Sequence, residues 1–165
     1  MNGILAAAFW SSAILNPDNF LLNDLSIKNS PQTQSIGISQ LYFEDQKIGY
    51  EFIFSKTDKY TIGNFHPVSM ISFTKNNGIW LGYGLYNNFK FNYFDIRLSF
   101  LPGFYVKGDE VDLGGWIMFR SGVEIMFDVD KNYSFSLGFD HRSSGDIWKY
   151  NPGLETIFIN FQKKI

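Results

Sequence analysis

Three residues near the C-terminus, His141, Ser143 and Glu155, are of the types that together perform nucleophilic acyl chemistry. A serine hydroxyl is a weak nucleophile until a base within hydrogen-bond reach takes its proton, and the base needs a third group to orient it. His141 and Ser143 stand at i and i+2, so on an extended chain they share one face, with Cβ atoms roughly 6–7 Å apart. Phe135, Leu137 and Phe139 have the same parity, which puts the two polar side chains on an apolar surface. Glu155 shares parity with Ile157, Ile159 and Phe161, and an antiparallel return across "SGDIWKYNPG" brings it beside His141. Spacing alone leaves a plainer reading open, in which His141 and Ser143 are strand-end rim residues and Glu155 is a solvated turn residue.

The elements that must position these groups are strands. From Ser35 onward, segments of strand length alternate with turn signals: "SIGISQLYFE", a polar "DQK" turn, "IGYEFIFSK", then "PVSMISFT" ending at the hairpin signal "KNNG". "IWLGYGLY" follows, and an "NN" turn leads to "FKFNYFDIRLSF". In that fifth segment Phe89, Phe91 and Tyr93 are odd, whereas Phe94, Ile96, Leu98 and Phe100 are even. One extra residue near Tyr93 and Phe94, a β-bulge, would keep both sets on one face. The longer, polar "GFYVKGDEVDLGG" precedes "WIMFRSGVEIMF"; "DVDKN" turns into "YSFSLGFDH", and "LETIFINF" closes the chain. The fold expected is all-β, an eight-stranded antiparallel barrel over 35–165 behind an N-terminal lead-in over 1–34.

Composition agrees with strands that are apolar on one side only. The 165 residues are 19% aromatic and 45% hydrophobic, yet the mean hydropathy is only −0.11. The second face carries Glu51, Lys90, Asp95, Arg97, Arg120 and Glu124, together with Trp80, Tyr86 and Trp116. A soluble barrel around an apolar ligand would turn those charges outward, and a membrane barrel would pair them inside. The bulky aromatics suit a plugged lumen, which favours the transmembrane barrel. No apolar run reaches the ~18 residues of a spanning helix, so the chain can insert in a membrane only as a barrel.

The net charge of −2 gives no footprint for nucleic acid, and the absence of cysteine removes thiolate chemistry and disulfides. "MNGILAAAFWSSAIL" has the apolar core and small residues of an export signal but no Lys or Arg ahead of it. A remnant of such a signal and a short amphipathic lead-in helix both fit, and "NPDNFLLNDLSIKNSPQTQ" reads as loop. Asp128, Asp130 and Asn132 open like a calcium loop, but Tyr133 replaces the glycine expected at its sixth position, so a turn is expected. His66 stands alone and reads as a strand-end residue.

His141-x-Ser143, the "NPG" of Asn151 to Gly153, and Glu155 resemble the signature of the PagL-type lipid A 3-O-deacylases. The resemblance implies an eight-stranded outer-membrane barrel with a Ser-His-Glu triad on its lipid-facing wall. By position, Ser143 would be the nucleophile, His141 the general base, Glu155 its orienter, and Asn151 a holder of the oxyanion. No metal or cofactor is implied. The substrate implied is the ester-linked 3-position acyl chain of lipid A, the membrane anchor of lipopolysaccharide, and a homodimer is left open. Ser144 stands where the family carries Asn. Arg142, Lys149 and Lys107 are cations that could meet lipid A phosphates at the rim, or plain surface charges. The alternative function is a structural or adhesive barrel of the same fold with an idle triad.

Overall fold

The computed structural model describes residues 3–15 and 26–165, so part of the N-terminal stretch read as loop lies outside the described residues. A helix, α1 (Ile4–Leu15), is followed by β1 (Ile27–Asn29), β2 (Thr33–Phe43), β3 (Gln46–Thr57), β4 (Tyr60–Ile62) and β5 (Phe65–Thr74). Then come β6 (Ile79–Lys90), β7 (Asp95–Val106), β8 (Ile117–Asp128), β9 (Tyr133–Ser143) and β10 (Leu154–Lys164). The eight long strands pair antiparallel in the order β5-β3-β2-β10-β9-β8-β7-β6, and β6 returns to β5. The sheet is a closed barrel, so its wall has no free edge. The short β4 pairs with β1 and β5 at the end of the barrel where β2 begins and β10 finishes, which accounts for the long connection after β3.

The turns follow local chemistry. Glu44 and Asp45, both at positive φ (48° and 63°), make the two-residue loop between β2 and β3, the twist that matches paired strands. Asp130 Oδ1 accepts the backbone N–H groups of Asn132 (2.6 Å) and Tyr133 (2.9 Å), so this carboxylate is spent on the turn before β9. The expected bulge and the expected "NN" turn are both corrected. Asn87 and Asn88 lie inside β6, and the chain reverses at residues 91–94, where Phe91 N–H bonds Phe94 C=O at 3.0 Å. The parity slip at Tyr93–Phe94 is therefore the crossing from one strand to the next. The long β7–β8 connection also starts later than expected, because β7 continues to Val106.

The two faces divide as a membrane barrel requires. Ile36, Ile38, Phe52, Phe54, Leu81, Phe135, Leu137, Ile157, Ile159 and Phe161 are exposed along the outer wall. Glu51, Arg120, Glu124, Asp140 and Arg142 are buried in the lumen. The soluble-barrel reading is thereby excluded, since it needs the opposite orientation. Trp80 and Tyr86 plug the lumen as expected, but Trp116 does not: it precedes β8, is 54% exposed, and stacks on Phe104 of the outer wall. Helix α1 also lies on the outer wall, with the Phe9 ring 5.6 Å from Phe65 and 6.0 Å from Phe100. It carries no charged residue, and its only polar ones are Ser11 and Ser12, so it has no charged face and is not amphipathic.

In the lumen, two carboxylates and two guanidiniums neutralise one another. Arg142 Nη2 donates to Glu51 Oε1 (2.8 Å) and Oε2 (3.1 Å); Arg120 Nη2 lies 3.1 Å from Glu51 Oε2 and 2.7 Å from Asp140 Oδ2. Ser72 Oγ donates to Glu51 at 2.6 Å. Nearer the chain ends, Glu124 accepts from Arg97 (3.1 Å), Ser136 and Asn160 (3.0 Å). Buried charges persist only when paired and hydrogen-bonded in this way. Arg142 is thus a lumen residue, 1% exposed, which corrects both readings of it as a rim or surface cation.

Candidate active site

β9 alternates between the two environments at every residue. Asp140 and Arg142 turn inward to Arg120 and Glu51, while His141 and Ser143 turn outward. The inward pair holds the backbone of this segment, and the outward pair inherits that fixed position. Across the hairpin, Glu155 is the register partner of His141, as parity requires. Its Oε1 lies 3.1 Å from His141 Nδ1. His141 is 3% exposed, so its ring is packed on the lipid-facing wall and not displayed to solvent.

The third residue is close by but unbonded. Ser143 lies one pleat repeat further along the same face and is 9% exposed. No hydrogen bond joins its Oγ to His141 Nε2, and that nitrogen is buried without a hydrogen-bond partner among the described residues. An imidazole held at Nδ1 and unoccupied at Nε2 has the geometry to accept a proton at Nε2 when it is neutral. Hydroxyl–imidazole contacts of this kind are often long before substrate arrives and tighten in the complex.

Beyond Ser143 the chain makes a tight turn in which Ile147 N–H bonds Ser144 C=O at 3.2 Å. Gly145 and Asp146 occupy its centre at φ of 59° and 62°. Asn151 closes this loop: its Oδ1 accepts the Ser144 N–H at 2.8 Å, and its Nδ2 donates to Asp146 at 2.9 Å. Asn151 therefore stands beside the candidate nucleophile, with one amide hydrogen engaged and one left over. Ser144 itself is fully buried, and its Oγ has no hydrogen-bond partner among the described residues.

The "NPG" run contributes a residue that sequence reasoning did not assign to the site. Gly153 has φ +80°, and a Cβ there would sit 2.6 Å from His141 Cε1 and 3.3 Å from Nε2. Only glycine lets the chain pass this close to the imidazole in this conformation. The signal was present in the sequence as a glycine two residues before Glu155, but nothing there tells which ring it touches. Of the remaining candidates, His66 stacks on Tyr86 inside the lumen with centroids 4.8 Å apart, far from the triad candidates in the fold.

The molecule is similar in fold to the crystal structure of the outer membrane enzyme PagL, with TM-score 0.60 and 11% identity over 79% of this chain and 99% of that chain. A structure from the de novo design of transmembrane β-barrels (TM-score 0.57, 11% identity, 84% and 99% covered) is also similar. So is Neisserial surface protein A (0.53, 12%, 85% and 99%). At such identities the likeness is one of fold. No curated protein matches the chain. The family model for lipid A 3-O-deacylase (PagL) matches residues 38–164, which run from the middle of β2 to the last residue of β10. By that match over nearly the whole barrel, the chain belongs to the lipid A 3-O-deacylase (PagL) family of the outer membrane.

Proposed function

We propose that this barrel is a serine esterase that removes the ester-linked 3-position acyl chain of lipid A, with Ser143 as nucleophile, His141 as general base and Glu155 as its orienter. The observation that carries the reading is the His141–Glu155 pair, bonded at 3.1 Å on an otherwise apolar, lipid-facing wall. A buried imidazole paired with a half-buried carboxylate has no use on such a surface unless the substrate arrives from the membrane. Family membership supplies the substrate class.

In this scheme Ser143 Oγ attacks the ester carbonyl carbon while its proton passes to His141 Nε2. Glu155 stabilises the imidazolium through Nδ1–H. Asn151 offers its remaining amide hydrogen to the oxyanion, a contribution of roughly 3 kcal/mol where such donors have been removed. The tetrahedral intermediate collapses by breaking the bond to the 3-oxygen, which takes the proton back from His141. Water, deprotonated by His141, then attacks the acyl-serine and releases the fatty acid.

A structural or adhesive barrel with an idle triad is the competing reading, and the unmade Ser143–His141 bond is the observation in its favour. Lipid A incubated with folded wild-type and Ser143→Ala barrels, then analysed by mass spectrometry, separates the two. Loss of the nucleophile should lower turnover by up to about a millionfold. Equal deacylation by both proteins removes Ser143 from the chemistry, and no deacylation by either leaves the idle triad.

A further inference from the structure

Over β10, β2, β3, β5 and β6, the outer wall ends in a row of different chemistry. Phe161, Ile36, Phe54, Ile71 and Leu81 are successive register partners across β10, β2, β3, β5 and β6 and make one apolar row. Two residues nearer the chain ends, the next outward row reads Lys163, Gln34, Lys56 and Ser69. The small and flexible side chains of this second row leave an open groove of about 550 Å³ lined by both rows. Lys56 and Lys163 are exposed, and neither is in an ion pair among the described residues. Lys163 lies 5.8 Å from the Tyr133 ring. The carboxylate at the groove's edge, Asp58, is engaged by the Tyr83 hydroxyl at 2.7 Å.

The depth of this row is set by the loops. The two longest connections, 107–116 and 144–153, are at the other end, beside the short 44–45 and 75–78; at this end 91–94 and 129–132 are short and 58–64 is longer but is tied down by β4. Short turns lie on the periplasmic side of outer-membrane barrels. The two lysines therefore stand at the boundary of the inner leaflet, on the opposite side of the membrane from Ser143. Lysine stems lie along apolar wall while their ammonium groups reach the headgroup layer.

We propose that this groove binds one anionic glycerophospholipid of the periplasmic leaflet. An acyl chain lies against Phe161, Ile36, Phe54, Ile71 and Leu81. The phosphate is held between the Lys56 and Lys163 ammonium groups, with the Gln34 amide between them as a further donor. The inference rests on the membrane setting of the barrel and not on the esterase reading, so either can fail without the other.

Native mass spectrometry of the detergent-held barrel, titrated with phosphatidylglycerol and with phosphatidylcholine of the same acyl chains, tests it. Wild type should retain a single phosphatidylglycerol in preference to phosphatidylcholine. The double variant Lys56→Gln/Lys163→Gln should bind phosphatidylglycerol about 25-fold more weakly, since each lysine near an anionic surface is worth about a fivefold change. Lys47→Gln/Lys75→Gln, two exposed lysines at the other end, should bind as wild type does. Equal retention of the two lipids by wild type overturns the proposal. So does unchanged phosphatidylglycerol binding in the first variant, or an equal loss in the second.

Discussion

Replacing Gly153 with alanine should disable the site while leaving the barrel intact. The new Cβ would come 2.6 Å from His141 Cε1, whereas carbon atoms in contact prefer about 3.5–4.0 Å. The shortfall is on the order of 1 Å. The imidazole has little room to yield, because Glu155 holds Nδ1 at 3.1 Å and the ring is 3% exposed. Displacing a reacting group by about 1 Å costs about a hundredfold in rate. Alanine at φ +80° adds about 1–2 kcal/mol of backbone strain. Gly153 precedes the β10 ladder, so the strain falls on a connection and strand pairing should survive. The assay is lipid A deacylation under saturating and limiting substrate, with folding checked by the mobility of unboiled protein on gels. We expect kcat to fall about a hundredfold with KM little changed, as for an interaction that matters in the transition state. Gly145→Ala is the control, since it imposes similar strain at φ +59° but meets the Phe119 ring at 3.2 Å and not the imidazole. If Gly153→Ala stays within about twofold of wild type, or Gly145→Ala loses as much, steric placement of His141 by Gly153 is wrong.

Glu155→Ala should reduce deacylation less than Ser143→Ala does, because an orienter usually matters less than the nucleophile; the ratio of the two rates checks this. Leu137→Arg, on the outer wall, should destabilise by about 2–4 kcal/mol if it lies near the bilayer midplane, read as a lower temperature for loss of the folded gel band. A cysteine placed at Leu137 should react with a lipid-phase probe and resist a membrane-impermeant one. Glu51→Gln leaves Arg120 and Arg142 poorly paired in the lumen and should cost about 3–5 kcal/mol by the same melting assay.

Strand identity was legible because the period of two is a property of each segment by itself. Phe135, Leu137, Phe139, His141 and Ser143 could be placed on one face from their numbers alone, and the pairing of Glu155 with His141 followed from the intervening connection. Which face meets lipid could not be read from alternation, which looks the same from either side, and rested instead on the bulky Trp80 and Tyr86 of the charged face, which do plug the lumen. Closure of the sheet, with Glu51 and Arg142 meeting inside it, fixes the same orientation. The reversal at residues 91–94 was hidden because three of its four residues are aromatic, and its single turn former, Asn92, is outweighed by the neighbouring pair Asn87–Asn88, which lies inside β6. Trp116 was misplaced because it falls one residue before β8, where parity no longer applies. The parity of Arg142 already pointed it into the lumen; grouping it with nearby lysines overrode that. Gly153 could be seen as a turn glycine but not as a neighbour of the imidazole, since that contact crosses the hairpin.

The placement of His141 and Ser143 on the outside of a convex wall has a kinetic consequence. A site of this kind has no mouth through which substrate enters from water. Encounter is lateral, between two bodies moving in one plane, and both products are left in or near that plane. The proposed esterase should therefore respond to the mole fraction of lipid A in the bilayer or micelle and not to its bulk concentration. Adding inert detergent at constant enzyme and constant lipid A would slow the reaction by surface dilution, and a shed fatty acid lingering on the wall would compete with the next substrate.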